Sequence, residues 1–162
     1  MISRSGHVPR TYLIARIAVF SALSVVGSFL HLPGPVSTVA FDSAPGFFAA
    51  LYFGPLDGAA VSGLGHLATA VVNGFPLGIL HLPIALGLAA AGAVIGFVNR
   101  RWNFISGIVA GIAINTGLIV VAVPALGWAG VISFLPFLLF AACANGFVAC
   151  VAYLSVRGRL RA

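Results

Sequence analysis

The chain has no lysine and only two carboxylates, Asp42 and Asp57, in 162 residues. Charged residues make up 6% of it, against about 25% in an ordinary soluble domain. So little charge excludes a solvated globular domain and a disordered polyelectrolyte tail. The missing lysine excludes a P-loop nucleotide site, and no zinc-protease or other metal-ligand spacing occurs. The two cysteines, Cys143 and Cys150, lie seven apart on one predicted helix. That separates them by about 10 Å along the axis, too far to bridge. They read as small apolar packing residues, and no metal or cofactor is expected. The net charge of +6 comes from eight arginines, too few and too scattered to track nucleic-acid phosphates.

What the chain has in excess is apolar residues, 61% of the total. A membrane-spanning helix needs about 20 of them in succession. The hydrophobic runs predict an all-α integral membrane protein forming a single membrane domain over residues 1–162, with six transmembrane helices near 12–30, 44–53, 58–72, 79–98, 104–123 and 131–156. The arginines sort accordingly. Arg4, Arg10 and Arg16 stand at the first span, Arg100 and Arg101 after the fourth, and Arg157, Arg159 and Arg161 after the sixth. With both termini cytoplasmic all eight face the cytoplasm, as the positive-inside rule requires. Arg16, just inside the first span, is expected to snorkel to the interface. A four-span reading has the same parity, but strands a proline-rich stretch that contains Pro33, Pro35, Pro45, Pro55, Pro76 and Pro83.

This topology predicts outer loops at 31–43, 73–80 and 124–130 and inner turns at 54–57 and 99–103. Polar residues within apolar spans carry the information. Most project from outer helix halves or outer loops: Asp42, His66, Asn73, His81, Asn115 with Thr116, Asn145 and Trp128. Each has a structural alternative. Asp42, ahead of Ser43-Ala44-Pro45, is either a helix N-cap or a ligand contact. Asp57, in an inner turn, reads as a cap. His66, Asn115 and Asn145 are either pocket residues or interhelical glue, and His81 and Trp128 either pocket residues or interfacial anchors. Ser62 and His66 stand at i and i+4, but no oxyanion-loop pattern accompanies them, so a serine nucleophile is not expected. Gly92-x-x-x-Gly96, Gly107-x-x-x-Gly111 and the stripe of Ala15, Ala18 and Ala22 mark close helix contacts.

The segment 41–85 contains Asp-Ser-Ala-Pro-Gly-Phe-Phe-Ala-Ala, Gly-Pro-Leu-Asp-Gly-Ala, Gly-His-Leu-Ala-Thr-Ala and Gly-Phe-Pro-Leu. It resembles the membrane-embedded substrate-binding (S) components of energy-coupling factor (ECF) vitamin transporters. The first span, with its Ala-x-x-x-Ala pattern, resembles them too. Within that family the segments are most similar to the S components assigned to α-ribazole, a nucleoside-like precursor of the cobalamin lower ligand. From residue 104 onward the likeness is in hydropathy only.

The resemblance implies a six-helix S-component bundle in the bacterial cytoplasmic membrane. It implies an outward pocket for a vitamin or precursor, and docking onto a transmembrane (T) component that carries two ATPase subunits. Ala15, Ala18 and Ala22 would form the docking stripe. Asp42, His66, Thr69, Asn73 and His81 would lie at the pocket, with Asn115 and Asn145 as further polar candidates. Phe41, Phe47, Phe75 or Trp128 would offer a face to the base, and Asp42 and Asn73 would bond ribose hydroxyls. Three rival readings stay open: an S component for another vitamin, a membrane-embedded enzyme using His66 and Asp42, and a stand-alone secondary transporter. A scaffold with no ligand is a fourth.

Overall fold

The computed structural model describes residues 9–30 and 41–158. Arg4, Arg159, Arg161 and residues 31–40 of the first predicted outer loop lie outside them. The elements are α1 (Arg10–Ser28), α2 (Ala44–Tyr52), α3 (Pro55–Val72), α4 (His81–Arg101), α5 (Phe104–Gly117) and α6 (Val123–Arg157). Two 3₁₀ turns, Gly78–Leu80 and Leu118–Ala122, precede α4 and α6. No strand occurs among the described residues. Three segments are long and apolar enough to cross a membrane: Arg10–Ser28, Gly78–Arg101 and Phe104–Arg157. The last, 54 residues, comprises α5, the 3₁₀ turn and α6.

The helices differ from the sequence expectation mainly after residue 117. The predicted loop 124–130 is helical and broken at one residue, Gly127, with φ 67° and ψ 170°. The physical reason is composition. Residues 124–130 contain two glycines, of which only Gly127 leaves the helical region, and none of the Asn, Asp or Ser that open a loop. The expected fifth span tightens into the 3₁₀ turn at the β-branched run Ile119-Val120-Val121, which disfavours α-helix.

α3 lies at the centre, packed against α1, α2 and α4, and α6 closes the bundle against α2 and α5. Glycines permit these approaches. A Cβ on Gly92 would meet the Gly58 carbonyl oxygen of α3 at 2.2 Å, and one on Gly96 would meet the Pro55 nitrogen at 2.6 Å. Gly107 sits over the Ile95 carbonyl, and Gly111 over the Ile95 side chain. Both small-xxx-small pairs therefore serve packing within the chain. The core gathers Phe47, Ala50, Leu51, Ile95, Ile108 and Ala149.

α1 turns Arg16, Phe20, Ser24 and Ser28, at i+4 steps, toward the bundle and leaves Ala15, Ala18 and Ala22 exposed. Arg16 finds its partner within the chain. Its guanidinium grips Asp57 in the first turn of α3, Nε donating to Oδ1 and Nη2 to Oδ2 at 2.8 Å. It also lies 4.8 Å from the Phe53 ring centroid. Nor does Asp57 cap α3: the N-cap position is Gly54 and no side chain bonds there. A carboxylate that is only 6% exposed needs a partner more than a helix end needs a cap. Arg16→Ala strands that carboxylate and should cost about 3–5 kcal/mol, read as a lower thermal unfolding midpoint in detergent. The apolar double variant Arg16→Met, Asp57→Leu should recover most of the loss; an equal loss would show that the charge pair is not the cause.

Candidate functional site

One cavity opens among the start of α2, the middle of α3, the start of α4, and α5–α6. It holds about 100 Å³ of free space, or about 790 Å³ with its open mouth included. Its polar lining is Asp42, Ser43, His66, His81, Asn115 and Asn145. The apolar wall is dominated by Ile84 and Leu88 of α4, Leu118 and Ile119 of the 3₁₀ turn, and Phe134 and Leu138 of α6.

Asn145 sets the floor. Its Oδ1 accepts from the amides of Ser43 at 3.1 Å and Ala44 at 2.7 Å, and its Nδ2 donates to the Ala141 carbonyl at 2.9 Å. Ser43 is the N-cap residue of α2 but its side chain makes no capping bond. The capping comes from α6, and Asp42 instead accepts from Ser43 Oγ at 3.2 Å. Asp42 is half-buried. Desolvation pushes its carboxyl up from 3.8 to about 6, partly offset by hydrogen bonds from the Ser43 hydroxyl and nearby backbone.

The two histidines meet across the cavity rim, with His66 Nε2 3.1 Å from His81 Nδ1. His81 Nε2 accepts from the Leu77 amide at 3.3 Å, and His66 Nδ1 lies 4.0 Å from Asp42 Oδ2. His66 thus engages His81 rather than Ser62, whose hydroxyl is buried against Gly46 and Gly92 without a hydrogen-bond partner. The turn before α4 supports this pairing. Phe75, at φ 53°, lays its ring edge-on to His81 with centroids 5.4 Å apart.

Of the residues nominated from sequence, Asp42, His66, His81, Asn115 and Asn145 line this cavity, and the rest lie elsewhere. Phe47 is fully buried in the core. Phe41 is half-buried, its amide bonded to the Gly27 carbonyl at 3.2 Å. Thr69 is buried with its hydroxyl unpartnered. Asn73 ends α3, its amide bonded to the Thr69 carbonyl. Phe75 is 38% exposed behind His81, and Trp128, just past the Gly127 break, is 65% exposed. None of the four nominated aromatics is in the wall; the aromatic there is Phe134. Sequence offered no signal for Phe134, because a cavity-facing phenylalanine in a span reads like a lipid-facing one.

A carboxyl whose charged form is disfavoured by its surroundings carries a stability term of definite sign. With the folded pKa of Asp42 raised, its contribution is fully present below about 3.8 and is lost as pH rises through about 6. Asp42→Asn keeps the site neutral throughout. The variant should exceed the wild type in stability by about 1–3 kcal/mol above pH 7, with the gap closing toward pH 4. Unfolding midpoints against pH measure this, and a constant gap would refute the desolvated carboxyl.

The family model for the ECF transporter substrate-specific component matches residues 13–157. A solved S component of a bacterial ECF transporter shares the fold at a TM-score of 0.67 and 17% identity, covering 94% of this chain and 99% of the other. No curated protein matches the chain by sequence.

Proposed function

The chain belongs to the substrate-specific component family of ECF transporters, and from that premise we propose that it captures α-ribazole from outside the cell for import by an ATP-driven complex. Members of the family are substrate-binding subunits that work with a T component and an ATPase module. The assignment of ligand, topology and docking surface is the proposal. The observation that carries it is the cavity, an apolar slot with a few polar groups gathered along one side. That is the complement of a nucleoside-like molecule, a flat apolar base joined to a hydroxylated sugar.

The base fits between the Phe134 ring and the aliphatic side chains of α4 and the 3₁₀ turn. Ribose hydroxyls donate to Asp42, whose carboxyl is ionised at neutral pH, and exchange hydrogen bonds with His66, Asn115 and Asn145. A ligand without charge suits a site whose cationic side chains are absent from the lining. The segment 41–85, which carries the resemblance to the α-ribazole group, supplies Asp42, Ser43, His66, Leu77, His81 and Ile84 to the lining.

In the proposed topology six spans place both termini in the cytoplasm, with α2 as a short span. Ala15, Ala18 and Ala22, exposed on α1, receive the T component, to which two ATPase subunits are attached. Small side chains let a partner helix approach closely.

Two outcomes follow. Asp42→Ala should weaken α-ribazole binding by about 1.5–3 kcal/mol, the worth of a hydrogen bond to a charged group, or roughly 10- to 150-fold in Kd, measured by calorimetry on the purified chain. An unchanged Kd would remove Asp42 from the site. Ala18→Trp should leave that Kd intact and abolish uptake in cells carrying the T component and ATPases; normal uptake would remove the docking stripe. Tight binding of a different vitamin by the purified chain, with no response to α-ribazole, would favour an S component of other specificity.

A further inference from the structure

We infer that His81 is a positioning residue that makes His66 a hydrogen-bond donor facing Asp42, and that His66 and Asp42 together clamp a single hydroxyl group of the ligand. The inference rests on the substrate-binding reading above and deepens it by naming the chemical group recognised.

The direction of the hydrogen bonds follows from one backbone amide. The Leu77 N–H donates to His81 Nε2 at 3.3 Å. A ring nitrogen that accepts carries no proton, so His81 is neutral and holds its proton on Nδ1. That nitrogen is 3.1 Å from His66 Nε2. His81 therefore donates and His66 Nε2 accepts, which leaves the His66 proton on Nδ1. His66 Nδ1 in turn faces Asp42 Oδ2 across 4.0 Å. The other carboxylate oxygen, Oδ1, is already bonded to Ser43 Oγ, so Oδ2 is the one presented to His66.

A gap of 4.0 Å is too long for a direct hydrogen bond. It is the right size for one bridging oxygen. An oxygen about 2.8 Å from each atom would subtend an angle of about 90° between them. The bridging atom must accept from His66 Nδ1–H and donate to the Asp42 carboxylate. A hydroxyl does both through one atom. A carbonyl has no proton for Asp42, an ammonium has no lone pair for His66, and a second carboxylate would be repelled. The recognised class is therefore a neutral alcohol. Phe75 packs edge-on against the His81 ring, with centroids 5.4 Å apart.

The relay is tested without any ligand by long-range proton–nitrogen NMR on the full chain, ¹⁵N-labelled at histidine, in lipid nanodiscs. The wild type should show His66 as the Nδ1–H tautomer. His81→Leu, which removes the donor, should shift His66 toward Nε2–H. His81→Gln should keep Nδ1–H, because its amide nitrogen can donate to His66 while its amide oxygen accepts from Leu77. An Nε2–H tautomer in the wild type, or no change in His81→Leu, overturns the positioning role. If His81→Leu does not fold, the wild-type and His81→Gln spectra still decide, and loss of Nδ1–H in His81→Gln also overturns it.

The clamp is tested by thermal shift with α-ribazole, riboflavin, pantothenate and pyridoxine as probes, followed by analogues of the binder lacking each hydroxyl in turn. One hydroxyl should be worth roughly tenfold or more in Kd in the wild type and less than about twofold in His66→Phe. Absence of such a hydroxyl, or binding by none of the probes, overturns the clamp. Binding of another probe but not of α-ribazole, with the hydroxyl effect present, supports the clamp and removes only the α-ribazole assignment.

Discussion

The amides at the start of α2 have little water to bond, and the site depends on what satisfies them. α2 is nine residues long, about 13 Å, and cannot anchor itself. Asn145, reaching from α6, accepts from both Ser43 and Ala44 and ties its own amide nitrogen to Ala141. This side chain joins two helices a hundred residues apart in sequence. It places Asp42 and Ser43 at one edge of the cavity and the Phe134–Ala142 face of α6 at the other. Left unsatisfied, each buried amide would cost about 1–3 kcal/mol, so the interaction is as much a structural requirement as a lining for a ligand.

The second constraint is charge. Two carboxylates in a chain this apolar meet opposite fates. Asp57 is gripped by Arg16 under the Phe53 ring, at the end of α3 away from the cavity, and is spent on holding α1 to the bundle. Asp42 faces His66 at a distance no direct bond can close, and its desolvation holds the pKa near 6. A neutralised pair and a desolvated carboxyl without a cationic partner are the signs of structure and of recognition respectively. Nine residues of α3 separate Asp57 from His66, so the helix carries both roles at points about 13 Å apart.

Much of this was legible beforehand. Residues such as Asp42, His66, His81, Asn115 and Asn145 stand out because polar atoms within apolar spans are expensive and must face a partner or a cavity. Their convergence on one pocket follows from that cost. The aromatic candidates did not converge, because burying a phenylalanine is favourable in a core, a lipid face or a pocket alike. Phe47 went to the core, Phe75 to the back of His81, and Phe134 to the wall without any distinguishing neighbour in sequence. The interpretation of Asp57 as a cap failed for a related reason: its partner Arg16 lies 41 residues away, beyond any local pattern.

Hydropathy and the cost of buried polarity are properties of residues, so the medium, the helical class and the polar residues in need of partners are readable from composition and pattern. The motifs of the sequence also carried the family. Tertiary structure alone decided which carboxylate was neutralised, which helix end was capped from afar, and which proton each histidine carries. Those outcomes depend on distances of a few ångströms between segments remote in the chain, and a hydrogen bond's direction exists only once both partners are in place.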